Sequence, residues 1–175
     1  MIYRIQKEKI FGNGDYGKKN FNCKPAKYIF AQGDILRNKL SKCLNLDIDE
    51  NEKEFIEEII FLIHDILCHL HLNSYSLEHL DCAIEAMNKK INKLKENCTD
   101  LPEFVSIPKD PGQTLDEARS QTRLFEVYLI NESSNKFALN SINRLSTYLF
   151  WLAWSYHNGQ ADNIFRRKSD FSRFV

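Results

Sequence analysis

Residues 142–156, "INRLSTYLFWLAWSY", contain the pattern that decides the fold of this chain. Asn143 and Ser146 fall beside an apolar stripe and give the segment a polar edge. The apolar run "YLFWLAW" is too short to span a bilayer, which takes about 20 residues. The segment is therefore predicted to be a core helix. Its buried residues recur every three or four positions, the period of a helix with one buried side: Ala138, Ile142, Leu145, Leu149 and Leu152.

Four further segments show the helical period. Asn51 and Glu54 have capping-box spacing at the start of the second helix, and Thr114 and Glu117 have it in the fourth. Because the second segment is apolar nearly all round, we predict that it is the central helix. The four helices are predicted at about 26–45, from Asn51, from Ser76 and after Gly112.

No part of the chain shows the alternation of a β-strand with confidence, and no internal repeat is visible. The segment "NCTDLPEFVSIPKDPGQ" at 97–113 holds three of the four prolines and is predicted to be a long loop. Long loops in compact domains tend to carry function. The sequence thus predicts one all-α domain over 1–175, with an N-terminal loop at 1–27 and a five-helix bundle at 28–175.

The bulk composition excludes some classes of protein. The chain has 175 residues, and its 24 basic residues balance 24 acidic ones. Nucleic-acid-binding proteins usually carry a basic excess, so no nucleic-acid partner is predicted. Five cysteines make an odd count without paired spacing, and "MIYRIQKEK" is not a signal-peptide pattern. These features predict free thiols, a cytoplasmic location and no membrane partner.

A glycine-rich segment, "GNGDYGKK" at residues 12–19, has the composition of a phosphate-binding loop. Glycines let backbone N–H groups approach an anion, and lysines add positive charge. The segment is not a Walker A sequence, which would read G-x-x-x-x-G-K-[ST]. Composition alone therefore leaves a plain turn as the simpler interpretation.

The segment "EARSQTRLFEV" at 117–127 places Arg119, Arg123 and Glu126 on one stripe of the fourth helix. Guanidinium groups bind phosphate through two parallel hydrogen bonds, which lysine cannot do. The simpler alternative is a solvated surface, where an arginine paired with Glu126 contributes about 0.2–0.5 kcal/mol. Spacing alone favours this surface pair over a polyphosphate site.

His64, Cys68 and His71 lie at i, i+4 and i+7 on one helical face, and such side chains are zinc ligands. No second ligand-bearing segment is obvious, and free cysteines are common in apolar helices. The sequence therefore predicts no metal site. A helical interaction protein with a metal bound at these three residues stays a weaker hypothesis.

Several segments in collinear order resemble the corrinoid adenosyltransferases of the propanediol-utilisation (PduO) type. "NRLSTYLFWLAWSYHN" resembles the family's N-R-L-S-D-Y-L-F-x-L-A-R-Y-x-N segment, and "NGDYGK" resembles its T-x-x-G-D-x-G loop. "FAQGDILRNKL" resembles Y-G-x-V-D-E-L-N, and "EFVSIPKD" resembles F-x-x-P-G-G. "EARSQTRLFEV" resembles A-R-x-x-x-R-R-x-E-R, and "IFRRKSDF" resembles the family's C-terminal end. The resemblance covers nearly the whole chain.

The resemblance implies a five-helix bundle that forms homotrimers, with active sites between subunits. It implies transfer of the 5′-deoxyadenosyl group of ATP to cob(I)alamin or a related corrinoid, with release of triphosphate. The implied small molecules are ATP with Mg²⁺ and the corrinoid, and the implied protein partner is a corrinoid reductase or a vitamin B12-dependent enzyme. Cobalt(I) is the nucleophile, so the protein's task is positioning and charge stabilisation.

The resemblance also implies site residues. Catalytic positions fall on Arg123, Asp34 and Glu126, with Asp34 and Arg123 paired between subunits, and corrinoid binding falls on Phe104. The implied ATP-binding residues are Gly12, Asn13, Gly14, Asp15, Gly17, Lys18, Lys19, Lys24, Arg119 and Asn143.

Two departures from the family pattern fall in one helix. Where the family reads R-R-x-E-R, the second arginine is Leu124 and the last is Val127. Loss of a charged contact to a polyphosphate costs about 1.5–3 kcal/mol, and Lys18, Lys19 and Lys24 are candidates to offset it. An alternative therefore stays open: a catalytically degenerate trimeric relative that binds a nucleotide or corrinoid as a carrier or regulator.

Overall fold

The computed structural model describes residues 25–72, 75–97, 107 and 109–157. In this part of the chain no strand occurs, and none of the helices is long and apolar enough to cross a membrane. The predicted all-α bundle of five helices is confirmed. The helices are α1 (Pro25–Cys43), α2 (Glu50–Leu72), α3 (Leu80–Glu96), α4 (Gly112–Glu132) and α5 (Lys136–Ser155).

The helices pack in a definite neighbour order. α4 packs along both α1 and α5, while α3 packs along α5 and α2 packs along α1. Contacts at the two ends of α1 show that it runs antiparallel to α4. Tyr28 stacks on Tyr128 with ring centroids 6.5 Å apart, and the Cys43 thiol lies 3.9 Å from the Thr114 carbonyl oxygen.

The buried stripe predicted for α5 is confirmed, since each of its residues is at most 1% exposed. The prediction that the second helix is central is wrong. α5 has ten buried residues, whereas the longer α2 has six, and its Phe61 and Leu72 face solvent. An apolar composition does not bury a helix unless neighbours cover all its sides.

The starts of α2 and α4 depend on aspartates that precede the predicted capping boxes. Asp49 Oδ1 accepts the Asn51 side-chain amide at 2.9 Å and the Asn51 N–H at 2.8 Å, and these two hydrogen bonds hold the pKa of Asp49 below its usual value. Asp110 Oδ1 accepts the Thr114 N–H at 3.1 Å and the Thr114 hydroxyl at 2.6 Å. Each aspartate therefore satisfies one of the two backbone N–H groups that the predicted capping box would satisfy, those of Asn51 and Thr114.

The start of α3 differs most from its prediction, whereas the start of α5 agrees with it. α3 starts at Leu80 rather than Ser76, because Ser76 Oγ accepts the Glu78 N–H in a turn before the helix. α5 starts as expected after "NESSN". Asn135 caps it by accepting the N–H groups of Phe137 and Ala138.

A charged cluster joins α2 to α3 and α5. The Tyr148 hydroxyl donates to Glu52 Oε2, and the Lys90 ammonium donates to Glu52 Oε1 at 2.8 Å. Lys90 also lies 4.8 Å above the Phe55 ring, which meets the Tyr148 ring edge to face. The cluster satisfies a largely buried carboxylate, which would otherwise be costly to remove from water.

Candidate functional site

A polar cluster lies where α4 packs against α5. Arg123 Nη1 donates to Glu126 Oε2 at 2.8 Å, and Asn143 Nδ2 donates to Glu126 Oε1 at 2.9 Å. The Glu126 side chain is 13% exposed, whereas that of Arg123 is 55% exposed. We call these residues the Arg123–Glu126–Asn143 cluster, and it combines a held carboxylate with an accessible guanidinium.

The local sequence explains why these side chains meet. Arg123 and Glu126 are three residues apart on α4, so they share one side of the helix. Each follows a fully buried residue, Thr122 or Phe125, and Asn143 likewise follows buried Ile142 on α5. Because a short connection at residues 133–135 joins α4 to α5, the two polar edges face each other along the seam between the helices.

The arrangement suits the binding of an anion. A guanidinium has five N–H donors, and a half-exposed Arg123 keeps donors available to a ligand from solvent. Both Glu126 oxygens already accept hydrogen bonds, so this carboxylate holds Arg123 and Asn143 in place, while the Arg123 guanidinium offsets its negative charge. The Asn143 amide nitrogen is engaged as well, which orients its Oδ1 as a hydrogen-bond acceptor.

Arg119 belongs to a different contact. Its Nε donates to Asp116 Oδ1 at 2.5 Å, and its Nη2 lies 3.4 Å from the Ser120 hydroxyl. The stripe predicted from spacing therefore divides into two ion pairs on α4. The surface pair expected from spacing alone does form between Arg123 and Glu126, but it extends to Asn143 on the next helix.

Asp34 lies on α1, with its Oδ1 3.8 Å from Arg37 Nη1. The nearby seam between α1 and α4 contains hydrogen bonds that sequence reasoning missed. Gln121 Nε2 donates to Gln32 Oε1 at 2.7 Å, and these residues are 89 positions apart. Only the packing of α1 on α4 brings such pairs together, so local spacing gives no signal for them. The predicted pairing of Asp34 with Arg123 is between subunits and stays a prediction.

The remaining residues of the predicted site lie outside the described part of the chain. They are Gly12, Asn13, Gly14, Asp15, Gly17, Lys18, Lys19, Lys24 and Phe104.

The two departures from the family pattern occupy solvent-facing positions on α4. Leu124 is 42% exposed and Val127 is 57% exposed. Ile130 on α4 and Ile35 and Tyr28 on α1 are also exposed. Since α1 and α4 pack side by side, these residues make their outward sides unusually apolar, and we call them the α1–α4 outer face.

The described residues do not support the metal hypothesis. His64 Nε2 lies 3.5 Å from the Cys68 thiol, but His71 instead meets the ring of Phe30 edge to face. Among residues 25–72, 75–97, 107 and 109–157, no group of three or more ligand side chains is placed to hold a metal ion.

The fold and the cluster define the class of protein: an all-α, five-helix bundle with an arginine-containing polar cluster between its last two helices. The sequence model of the cobalamin adenosyltransferase family matches residues 33–156, which include the whole cluster. The chain therefore belongs to the cobalamin adenosyltransferase family, and the predicted family is confirmed.

A solved structure supports the same fold. The chain is similar to a variant of a PduO-type ATP:co(I)rrinoid adenosyltransferase from Lactobacillus reuteri complexed with ATP. The TM-score is 0.69 and the sequence identity is 22%, over 83% of this chain and 93% of that one. No curated protein sequence matches the chain. At this identity the likeness establishes the fold.

Proposed function

We propose that this protein is an ATP:corrinoid adenosyltransferase, which transfers the 5′-deoxyadenosyl group of ATP to cobalt(I) of a corrinoid and releases triphosphate. The observation that carries the proposal is the Arg123–Glu126–Asn143 cluster, located within the range of the family match. The ATP complex of the similar protein from Lactobacillus reuteri supports ATP as the donor.

In this proposal the chain contributes positioning and charge. The Arg123 guanidinium binds triphosphate oxygens, where negative charge accumulates as the nucleoside carbon leaves. Glu126 holds Arg123 in one orientation, and Asn143 offers its Oδ1 to a hydroxyl of the nucleotide. Nothing here requires proton transfer, since the corrinoid supplies the nucleophile.

The remaining predicted residues complete the proposed site. The glycine-rich loop at 12–19, Lys24 and Arg119 bind ATP, Phe104 contacts the corrinoid, and Asp34 pairs with Arg123 of another subunit. Mg²⁺ accompanies ATP, but the cluster itself does not fit a Mg²⁺ site, because both oxygens of its only carboxylate accept hydrogen bonds.

The decisive experiment is to incubate the purified protein with ATP and chemically reduced cobalamin and follow cobalt–carbon bond formation by absorbance. We expect turnover, and we expect Arg123→Ala to lower kcat about 100-fold, the usual cost of one charge-stabilising donor. Lys89→Ala is the matched control, because it removes an exposed cation paired with Glu85 on α3. No bond formation above background by folded protein would exclude the proposed activity.

The proposal includes a homotrimer whose subunits meet through the α1–α4 outer face. Burial of Tyr28, Ile35, Leu124, Val127 and Ile130 against another copy removes apolar surface from water, which favours association. It also includes a cytoplasmic location and a corrinoid reductase or a vitamin B12-dependent enzyme as partner, because cobalt(I) needs a supply of electrons and the product needs an acceptor.

A second candidate function follows from exposed Leu124 and Val127. If the missing arginines abolish catalysis, the protein is a trimeric nucleotide or corrinoid carrier or regulator. Calorimetric titration with ATP separates these functions, since a carrier binds without turnover. We expect Val127→Arg to tighten ATP binding at least about tenfold, the equivalent of one charged hydrogen bond. Unchanged affinity in this variant would remove Val127 from the ATP site.

A further inference from the structure

A groove runs between α2 and α3, and no residue of the Arg123–Glu126–Asn143 cluster lines it. It encloses a volume of about 340 Å³, within the range of sites that hold ligands or side chains. We call it the α2–α3 groove. Its apolar lining includes Phe55, Ile59, Leu62, Leu80, Ala83 and Met87.

The rim of the groove contains a large exposed aromatic residue and carboxylates. Phe61 lines the groove and is 63% exposed. Glu58, Asp65 and His79 also line it, and among the residues that the structure describes no lysine or arginine does. Asp65 accepts hydrogen bonds from the Tyr75 hydroxyl at 2.7 Å and from His79 Nε2 at 3.0 Å when that nitrogen is protonated. An apolar floor with acidic edges fits a segment that is both basic and aromatic.

Such a segment follows α5 in the same chain. Residues 158–175, "NGQADNIFRRKSDFSRFV", lie outside the described residues and contain four basic side chains against two aspartates. They also contain three phenylalanines. Aromatic residues and arginines are the types most enriched at the centres of protein interfaces.

The end of α5 is located close enough for this segment to reach the groove. The Asp49 N–H donates to the Tyr156 hydroxyl at 3.0 Å, which places the end of α5 beside the start of α2. Along α2, Phe55 is about 9 Å from Asp49 and Asp65 is about 24 Å away, at 1.5 Å per residue. An extended chain of this length spans roughly 60 Å.

We propose that residues 158–175 dock in the α2–α3 groove of their own chain, with phenylalanines on its apolar floor and basic side chains toward Glu58 and Asp65. The tether gives the segment an effective concentration of about 1 mM, which favours it over a free partner of similar chemistry. The groove is lined by none of Arg119, Arg123, Glu126 and Asn143, and this inference does not rest on the proposed function.

Cys82 provides the measurement, because it is exposed and lines the groove. We would alkylate the full chain with iodoacetamide and quantify each cysteine by mass spectrometry. If the docked segment has a local Kd of about 0.1 mM, Arg166→Glu with Arg167→Glu raises the Cys82 rate about tenfold. The half-buried Cys68 serves as an internal reference, and its rate stays unchanged.

Two further variants test the groove side. Phe61→Ser removes an exposed apolar side chain of the groove. It is expected to raise the alkylation rate of Cys82, as the double variant Arg166→Glu with Arg167→Glu does; we call that double variant the tail variant. Leu72→Ser is the matched control, because Leu72 is 55% exposed on the same helix but does not line the groove. If Phe61→Ser disturbs the helical circular dichroism, the tail variant alone tests the proposal, since it alters no residue of the five helices.

A charge exchange makes the test specific. Glu58→Lys alone should raise the Cys82 rate, and its combination with Arg166→Glu and Arg167→Glu should lower it again. Equal Cys82 rates in the unaltered chain and in the tail variant would overturn the proposal.

Cross-linking then tests whether the segment belongs to the same chain. Phe174→Cys introduces a thiol that should form a disulfide with Cys82 on mild oxidation. The expected product keeps the 20.6 kDa mass of one chain and contains the two linked peptides. A product of twice that mass would show docking on a neighbouring copy and would contradict the proposal.

Discussion

At the scale of single residues, Glu126 determines the arrangement of the candidate site. Its two carboxylate oxygens accept from side chains on two different helices, Arg123 and Asn143. Charge-assisted hydrogen bonds of this kind are stronger than neutral ones, and they also hold the side chains in a defined geometry. The contacts to Glu126 are therefore the place to test whether the site depends on this geometry.

Replacing Asn143 with aspartate should put two carboxylates in contact. Like charges disfavour the ionised pair, so we expect Asn143→Asp to lower the free energy of unfolding by about 1–3 kcal/mol at pH 7. Because the folded pair then binds a proton more tightly than the unfolded chain, the loss should shrink as the pH falls below about 5.

Urea unfolding at pH 7 and pH 4.5 measures this effect. Asn140→Asp is the matched control, because Asn140 is exposed on the same helix. If Asn143→Asp lowers the free energy of unfolding equally at both pH values, the two carboxylates do not interact.

Gly112 is a second residue whose neighbours decide what it tolerates. A Cβ at this position would lie 2.5 Å from Ile107 Cγ2 and 2.9 Å from the backbone oxygen of Ala153. The backbone atom belongs to α5 and cannot rotate away, so Gly112→Ala should lower the free energy of unfolding by about 1–3 kcal/mol.

The Gly112→Ala prediction is checked by thermal unfolding beside Gln113→Ala, an exposed neighbour in the same turn of α4. The control should change stability by less than about 0.5 kcal/mol. A Gly112→Ala protein as stable as the control would mean that α4 and α5 separate easily at this point.

At the scale of elements, α2 is held to the bundle by polar contacts as well as by apolar packing. Only six of its 23 residues are buried, yet Glu52 near its start binds both Tyr148 of α5 and Lys90 of α3. Burial and then the neighbouring Glu52 carboxylate raise the pKa of Tyr148 far above its usual value. The Tyr148 hydroxyl therefore stays protonated in the folded chain.

Tyr148→Phe should lower the free energy of unfolding by about 1.5–3 kcal/mol at pH 7, the range for a hydrogen bond to a charged group. The pH dependence has a definite sign. Above about pH 10 the unfolded tyrosine loses its proton while folded Tyr148 keeps it, so the unaltered protein loses about 1.4 kcal/mol per pH unit from this group. Tyr148→Phe lacks that loss.

Urea unfolding between pH 9 and pH 11 tests both parts of the Tyr148 prediction. Tyr128→Phe is the comparison, since Tyr128 is half-buried on α4 and should leave the alkaline loss from Tyr148 in place. The same alkaline slope in Tyr148→Phe and in the unaltered protein would assign the slope to another group.

At the scale of the whole molecule, the α1–α4 outer face and the α2–α3 groove are two separate apolar surfaces. The outer face contains the residues that replace arginines of the family pattern, Leu124 and Val127. The groove instead lies between α2 and α3, which the ion pair between Glu52 and Lys90 joins. The proposed trimer would bury the first surface, and the proposed docking of residues 158–175 would bury the second.

Val127→Glu should dissociate the proposed trimer, because assembly would bury a carboxylate in an apolar contact. In sedimentation velocity we expect the unaltered protein at about three times the 20.6 kDa of one chain, and the variant near that mass. Leu72→Glu introduces the same charge at an exposed apolar residue of α2 and should keep the trimer. If Val127→Glu stays trimeric, the subunits meet elsewhere.

Local patterns predicted the helices because helical periodicity depends only on neighbours three and four residues apart. For the same reason the ion pair between Arg123 and Glu126 was predictable. Helix caps were not, because the side chain that satisfies the first N–H groups depends on the path of the preceding backbone. Asp49 and Asp110 take this role from the predicted Asn51 and Thr114.

The number of helices, the buried stripe of α5 and the family could be predicted from the sequence, since each follows from residue order along the chain. Only the tertiary structure decided that Asn143 completes the contacts of Glu126 while Arg119 turns to Asp116. It also decided that α5 is the most buried helix and that α2 leaves Phe61 exposed. The physical reason is that burial and long-range hydrogen bonds depend on which helices become neighbours, which no local period specifies.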